Sequence, residues 1–132
     1  MAKILIVDDS PTERHVLEGY LIEAGHQVFQ ADCGDKGIEE AKKVKPDIIL
    51  MDVVMPGLNG FQTTRLLKRE AETSSIPVLL CTTKNQPTDR VWGLRQGACE
   101  YLTKPVSKQA LLEKIEASLS GSCATPPPLK KT

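Results

Sequence analysis

Four short apolar runs in this chain each end in a residue able to handle a phosphate or a metal. Ile4–Val7 leads into Asp8 and Asp9, and Ile48–Met51 leads into Asp52. Val78–Cys81 leads into Thr82 and Thr83, and Tyr101–Thr103 leads into Lys104 and Pro105. Apolar runs without alternation mark strands of a parallel sheet covered on both faces. Ligands of open α/β sheets bind at the carboxyl ends of the strands. Three carboxylates, two hydroxyls and one ammonium are therefore expected at one end of one sheet. That set suits a divalent cation and a phosphoryl group.

Carboxylates held close together repel one another until a cation neutralises them. Mg²⁺ is the expected cation, because it takes oxygen ligands, keeps several waters and is commonly held by one or two carboxylates plus a phosphate. Asp9 and Asp52 are expected to bind it directly and Asp8 through water. Asp52 then keeps an oxygen free to attack phosphorus, as carboxylates do in covalent catalysis. Phosphoryl transfer asks little else of a protein beyond positioning and charge neutralisation. Lys104 supplies further positive charge, and the Thr82 hydroxyl can donate to a phosphoryl oxygen. Taken alone, Asp8-Asp9 reads equally well as a strand-end turn. Asp52 and Lys104 tip the balance.

The elements that position these residues are marked by pattern and caps. Strands are expected near 3–8, 27–31, 47–52, 77–82 and 99–103, and helices near 11–24, 35–43, 60–70, 87–96 and 107–119. Ser10, Pro11 and Glu13 make a helix start with a capping box. Val16, Leu17, Tyr20, Leu21 and Ala24 form the apolar stripe of that helix, and Gly25 ends it. Phe61, Thr64 and Leu67 face inward from the third helix. Ser107 caps the last one, which buries Leu111, Leu112, Ile115 and Leu119. Met55–Gly60 is a loop of turn residues. Alternating strands and helices with short connections predict an α/β domain with a parallel sheet and right-handed crossovers.

The chain has 132 residues, enough for one domain. Its 17 basic and 17 acidic residues leave no basic excess for non-specific nucleic-acid binding. No apolar stretch approaches a membrane span, and no signal peptide precedes the first strand. The expected location is the cytoplasm. The expected domain is 1–120, followed by a disordered, proline-rich tail over 121–132. Cys33, Cys81, Cys99 and Cys123 form no CxxC pair and no metal spacing, so they are expected to be reduced structural thiols. His15 and His26 read as surface residues, and Trp92 as either packed or exposed for a partner.

At the four strand ends the chain resembles the receiver domain of two-component response regulators. The resemblance rests on Ile6–Ser10, Met51–Gly60, Cys81–Thr83 and Tyr101–Pro105, in order, and covers residues 3–120. It implies a flavodoxin-like (βα)₅ fold, sheet order 2-1-3-4-5, with helices on both faces. It implies Asp52 as phosphoacceptor, with Asp8, Asp9, Asp52 and the Val54 carbonyl around Mg²⁺. Thr82 is then the switch hydroxyl, Tyr101 the switch aromatic that turns inward, and Lys104 the phosphate-binding cation before a cis proline. The stretches Met51–Arg65 and Pro77–Pro105 look most like regulators of type IV pilus and twitching-motility chemosensory systems. Implied partners are a sensor histidine kinase of the CheA-like type and a downstream protein target. Nucleic acid and membrane are not implied, and the state is monomer or weak dimer. Val54 and Lys84 depart from the single-domain chemotaxis pattern at positions lining the path of the attacking water.

Other classes make different demands. The chain could act as a phosphate sink for a shared kinase rather than through a target. An aspartyl-phosphate phosphohydrolase usually places a second Asp two residues after its nucleophile, where Val54 stands. A phosphate-independent interaction module on this fold usually lacks the aspartate or the lysine, and both are present. The expected protein is thus not an enzyme with an external substrate but a phosphoacceptor that assists its own phosphorylation and dephosphorylation.

Overall fold

A computed structural model describes residues 1–124. The strands are β1 (Lys3–Val7), β2 (Gln27–Ala31), β3 (Ile48–Met51), β4 (Val78–Thr82) and β5 (Glu100–Thr103). The helices are α1 (Pro11–Glu23), α2 (Gly34–Val44), α3 (Gly60–Arg69), α4 (Pro87–Arg95) and α5 (Lys108–Leu119). All strand pairs are parallel, in the order β2-β1-β3-β4-β5 that the resemblance implied.

Successive side chains of a strand point to opposite faces, so the unbroken apolar runs feed two cores. Leu5, Val7, Ile49, Met51, Leu80 and Tyr101 join one core, which includes Ala41 of α2 and Phe61 and Leu67 of α3. Ile4, Ile6, Ile48, Leu50, Leu79 and Cys81 join the other, with Leu17 and Leu21 of α1 and Leu111 and Ile115 of α5. Each such Leu or Ile contributes about 1.5–3 kcal/mol on full burial. The stripe of α1 is narrower than its sequence suggested, since Val16 is 43% exposed and Ala24 is also exposed. In α5, Leu112 and Leu119 are half-buried.

The helix starts follow capping chemistry, with one reassignment. Ser10 Oγ accepts the Glu13 N–H at 3.3 Å. The Glu13 carboxylate faces Lys104 Nζ at 3.6 Å rather than completing the expected box. A full box forms instead at α3, where Asn59 Oδ1 accepts the Gln62 N–H and Gln62 Oε1 accepts the Asn59 N–H, both at 2.9 Å.

Gly60 shows how closely α3 approaches the loop after β3. Its N–H donates to the Val53 carbonyl at 2.9 Å. A β-carbon there would meet the Asp52 carbonyl oxygen and lie 2.7 Å from Val53 Cα. Both obstacles are backbone, so neither can swing aside. Gly60→Ala is expected to cost about 3 kcal/mol, the upper end for overpacking. A urea denaturation midpoint unchanged from wild type would contradict this packing.

The C-terminal boundary and the cysteines correct the sequence reading. The packed body does not stop at residue 120. Gly121 takes φ +90°, and the Ser122 N–H returns to the Ala117 carbonyl at 2.9 Å, closing a Schellman-type end to α5. The Ala124 N–H then donates to the Cys99 carbonyl at 2.8 Å. This reversal brings Cys123 to Cys99, and the two form a disulfide instead of reduced thiols. A separation of 24 residues carries no local signature, so only the turn at Gly121 reveals the pair. Cys33 and Cys81 are free. The remaining tail, 125–132, lies outside the described residues. Among the described residues no helix is long and apolar enough to cross a membrane.

Candidate functional site

The parallel ladder runs past the strand ends and delivers the polar residues to one edge. The Asp8 N–H donates to Ala31 O at 3.1 Å, the Asp52 N–H to Val7 O at 2.9 Å and the Lys104 N–H to Thr82 O at 2.8 Å. Asp8, Asp52, Thr82 and Lys104 thereby stand together although up to 96 residues separate them. The Lys104–Pro105 bond is cis, as the resemblance implied.

Lys104 Nζ lies 2.7 Å from Asp8 Oδ2, 3.3 Å from Asp52 Oδ2 and 3.6 Å from Glu13 Oε2. Asp8 is 2% exposed, and its other oxygen accepts the Ser10 N–H at 2.9 Å. Asp52 Oδ1 accepts the Val54 N–H at 3.2 Å, while the Val54 side chain is exposed. Asp8, Asp9 and Asp52 each offer an oxygen within 4.8 Å of the others. Arg14 donates to the Asp8 carbonyl at 2.6 Å and ties α1 to the site. Glu13 and Arg14 were missed as neighbours of the site. Their one available signal is their place in the first turn of the helix that follows Asp9.

One ammonium thus serves several carboxylates, and the ionisation of the pair reflects the shortage. Burial pushes the Asp8 carboxyl up, and the shared Lys104 and the Ser10 N–H offset this only in part. Burial also opposes the Lys104 charge, but the hydrogen bond it donates to Asp8 and the charge of Asp52 outweigh it and hold the ammonium above its ordinary range. The lysine has a surplus of anions, and Asp8 has a share of one cation. Hard oxygen donors with unbalanced negative charge suit Mg²⁺, so the donor set fits that ion.

Thr82 and Tyr101 meet on a single residue of the loop between β4 and α4. Thr82 Oγ1 accepts the Lys84 N–H at 3.3 Å, and the Tyr101 hydroxyl donates to the Lys84 carbonyl at 2.8 Å. Thr82 is fully buried and Tyr101 is 5% exposed. Burial first, and then the charges of Asp89 and Asp52, push the phenol up to about 12, so it stays a donor at neutral pH. The ring lies inward in this structure. The Lys84 carbonyl gives its hydroxyl a partner there.

The other side of β5 is tied as well. Arg90 of α4 donates to the Tyr101 carbonyl at 3.1 Å and pairs with Glu100 at 3.1 Å, and Lys114 of α5 pairs with Glu100 at 3.3 Å. Burial tends to raise the Glu100 carboxyl, but the Tyr101 N–H and these two cations win and hold it below its usual range. Next to Trp92, which is half exposed, Gly93 packs so that a β-carbon would lie 2.7 Å from Leu80 Cδ1 and 3.0 Å from Tyr101 Cδ2. His26 is half-buried and accepts the Ala2 N–H at Nδ1, 3.1 Å away.

Residues 4–116 match the family model of the response regulator receiver domain. The chain belongs to that family. Protein PilH of Pseudomonas aeruginosa is 60% identical over 121 residues, covering 92% of this chain and all of that relative. The phosphate regulon transcriptional regulatory protein PhoB of Escherichia coli is 37% identical over 115 residues, covering 87% of this chain and 50% of that protein. The receiver thus spans the whole of the first relative and about half of the second. A high-resolution structure of the Vibrio cholerae chemotaxis protein CheY4 superposes with a TM-score of 0.83 at 33% identity, covering 88% of this chain and 97% of that one.

Proposed function

We propose that this receiver is a stand-alone phosphorylation switch whose phosphoacceptor is Asp52. The observation that carries the reading is the single Lys104 ammonium held 2.7 Å from Asp8 and 3.3 Å from Asp52, with Asp9 completing an acidic set short of positive charge. A carboxylate oxygen of Asp52 attacks phosphorus of a phosphohistidine on a sensor kinase. The P–O bond forms as the P–N bond breaks, and the imidazole leaves with a proton. Asp9, Asp52 and the Val54 carbonyl would hold Mg²⁺, with Asp8 through water, and the ion would supply charge neutralisation. Lys104 exchanges its carboxylate contacts for a phosphoryl oxygen.

A phosphoryl group adds about −1.5 to −2 charges. Thr82 donates its hydroxyl to it and gives up the Lys84 N–H. Lys84 is also the residue that Tyr101 holds, so the loop, the ring and α4 move together. The surface made by α4, β5 and α5 then changes its affinity for a protein target. The full-length likeness to a single-domain relative supports an output through a partner, in a chemosensory pathway of the chemotaxis or twitching-motility kind, with a CheA-like kinase in the cytoplasm. The chain's own residues assist both gain and loss of the phosphoryl group, and the side chains of Val54 and Lys84 tune the loss. The switch works as a monomer or weak dimer.

The test is intact mass after incubation with acetyl phosphate. One phosphoryl group is expected in Mg²⁺ and none in chelator; full phosphorylation in chelator would sink the reading. Trp92 reports the next step. Mg²⁺ alone should barely alter its emission, because the indole sits on α4 and not beside the acidic set. Beryllofluoride with Mg²⁺ should change it through Lys84, Tyr101 and Gly93, and Thr82→Ala should reduce that change while leaving Asp52 able to accept phosphate. Constant emission with the mimic bound would uncouple α4 from the site.

A further inference from the structure

We propose that Cys99 and Cys123 form a reversible thiol-oxidation site, opened by dithiol reductants and closed by low-molecular-weight disulfides. The two sulfurs are bonded, and backbone hydrogen bonds flank Cys123 on both sides. They are Ser122–Ala117 and Ala124–Cys99, which follow the turn at Gly121. The two sulfurs differ in access: Cys99 is 3% exposed, while Cys123 is exposed. Both line an open groove with Lys68, Pro77 and Ser118, which gives an incoming thiol a path. The buried Ser118 hydroxyl lies 3.4 Å from Cys99 Sγ, placed to hydrogen-bond a thiolate leaving that position. Cys81 cannot substitute, since burial pushes its thiol up to about 12.

In reduction, a thiolate of the dithiol attacks the exposed Cys123 sulfur. The S–S bond breaks, and Cys99 leaves as a thiolate that Ser118 stabilises and water protonates. The second thiol of the reductant then attacks the mixed disulfide, so the reductant ends oxidised and both protein thiols are free. In oxidation, the Cys123 thiolate attacks a small disulfide and expels one thiol. Cys99 attacks Cys123 and expels the second. Disulfides are transient in reducing compartments, so in the proposed cytoplasmic setting the pair switches rather than persists.

The position of the bond gives the switch a target. Cys99 directly precedes Glu100, which receives Arg90 from α4 and Lys114 from α5. The bond therefore fastens the joint of the three elements in the proposed output face, and only this consequence rests on the phosphorylation reading. It lies at the start of β5, the end opposite Lys104, so phosphoryl chemistry should not sense it.

The full chain is equilibrated in mixtures of reduced and oxidised glutathione, denatured, alkylated and weighed. Two thiols are expected to be blocked by oxidation, with peptides linking Cys99 to Cys123, and thioredoxin is expected to restore all four. Cys123→Ser should keep its three remaining thiols alkylatable in every mixture. Ser118→Ala should slow reduction about tenfold, the value of one hydrogen bond to a charged group. Amide hydrogen exchange in β5 and α5 should be slower in the oxidised form. Linkage to Cys33 or Cys81, no linkage in any mixture, or a bond that thioredoxin cannot open would each overturn the proposal. Acetyl phosphate should label both redox forms equally. Failure to label either form would refute the phosphorylation reading and leave the thiol site standing.

Discussion

Asp52→Asn is expected to abolish phosphoryl uptake. The change keeps the shape of the side chain and an oxygen to accept the Val54 N–H, now at 3.2 Å. It removes the anionic oxygen that would attack phosphorus, and an amide is no substitute nucleophile. It also removes one of the charges that draw Mg²⁺, so metal binding should weaken. Folding should change little, because the neutral amide removes the repulsion between Asp52 and Asp8 together with the attraction between Asp52 and Lys104. Intact mass after acetyl phosphate treatment should show no gain, while urea unfolding should show stability close to that of wild type. Continued labelling would move the acceptor to Asp8 or Asp9. Loss of labelling with loss of folding would show that Asp52 is a structural residue first.

The sheet was legible because β1, β3 and β4 are interior strands. Their two covered faces require apolar residues at every position, and Ile4–Val7, Ile48–Met51 and Val78–Cys81 meet that requirement. The polar residue after each run follows from the same logic, since a strand that must leave the core ends there. The sheet order was different. Nothing in the residue pattern decides which strand lies beside β1, and the order 2-1-3-4-5 came from the family likeness. Features that depend on two distant segments were not legible. Glu13 has the right spacing for a cap and the right reach for Lys104, and only the fold shows that Lys104 draws it. The inward position of Tyr101 depends on the Lys84 carbonyl, 17 residues earlier. The Cys99–Cys123 bond depends on a chain reversal that the composition after Leu119 disguised as an unstructured tail.

Lys104→Ala should separate metal binding from phosphoryl transfer. The Lys104 side chain is 7% exposed, and its ammonium is the cation that Asp8 and Asp52 share. Removing it leaves the Asp8 carboxylate buried with the Ser10 N–H to hold it. Breaking a buried pair in this way costs about 3 kcal/mol, so in chelator the variant should unfold at lower urea than wild type. The acidic set itself is intact, and Lys104 no longer competes for its charge. Calorimetry should therefore show Mg²⁺ binding as tight as wild type or tighter, and saturating Mg²⁺ should recover much of the lost stability by mass action. Phosphorylation should not recover with it. A preorganised charge aimed at the transferring group is worth about 10²–10³ in rate, and labelling by acetyl phosphate should fall by that factor even in saturating Mg²⁺. Clearly weaker Mg²⁺ binding in the variant would mean that the lysine organises the metal site. A wild-type labelling rate would mean that the metal alone carries the charge of the transition state.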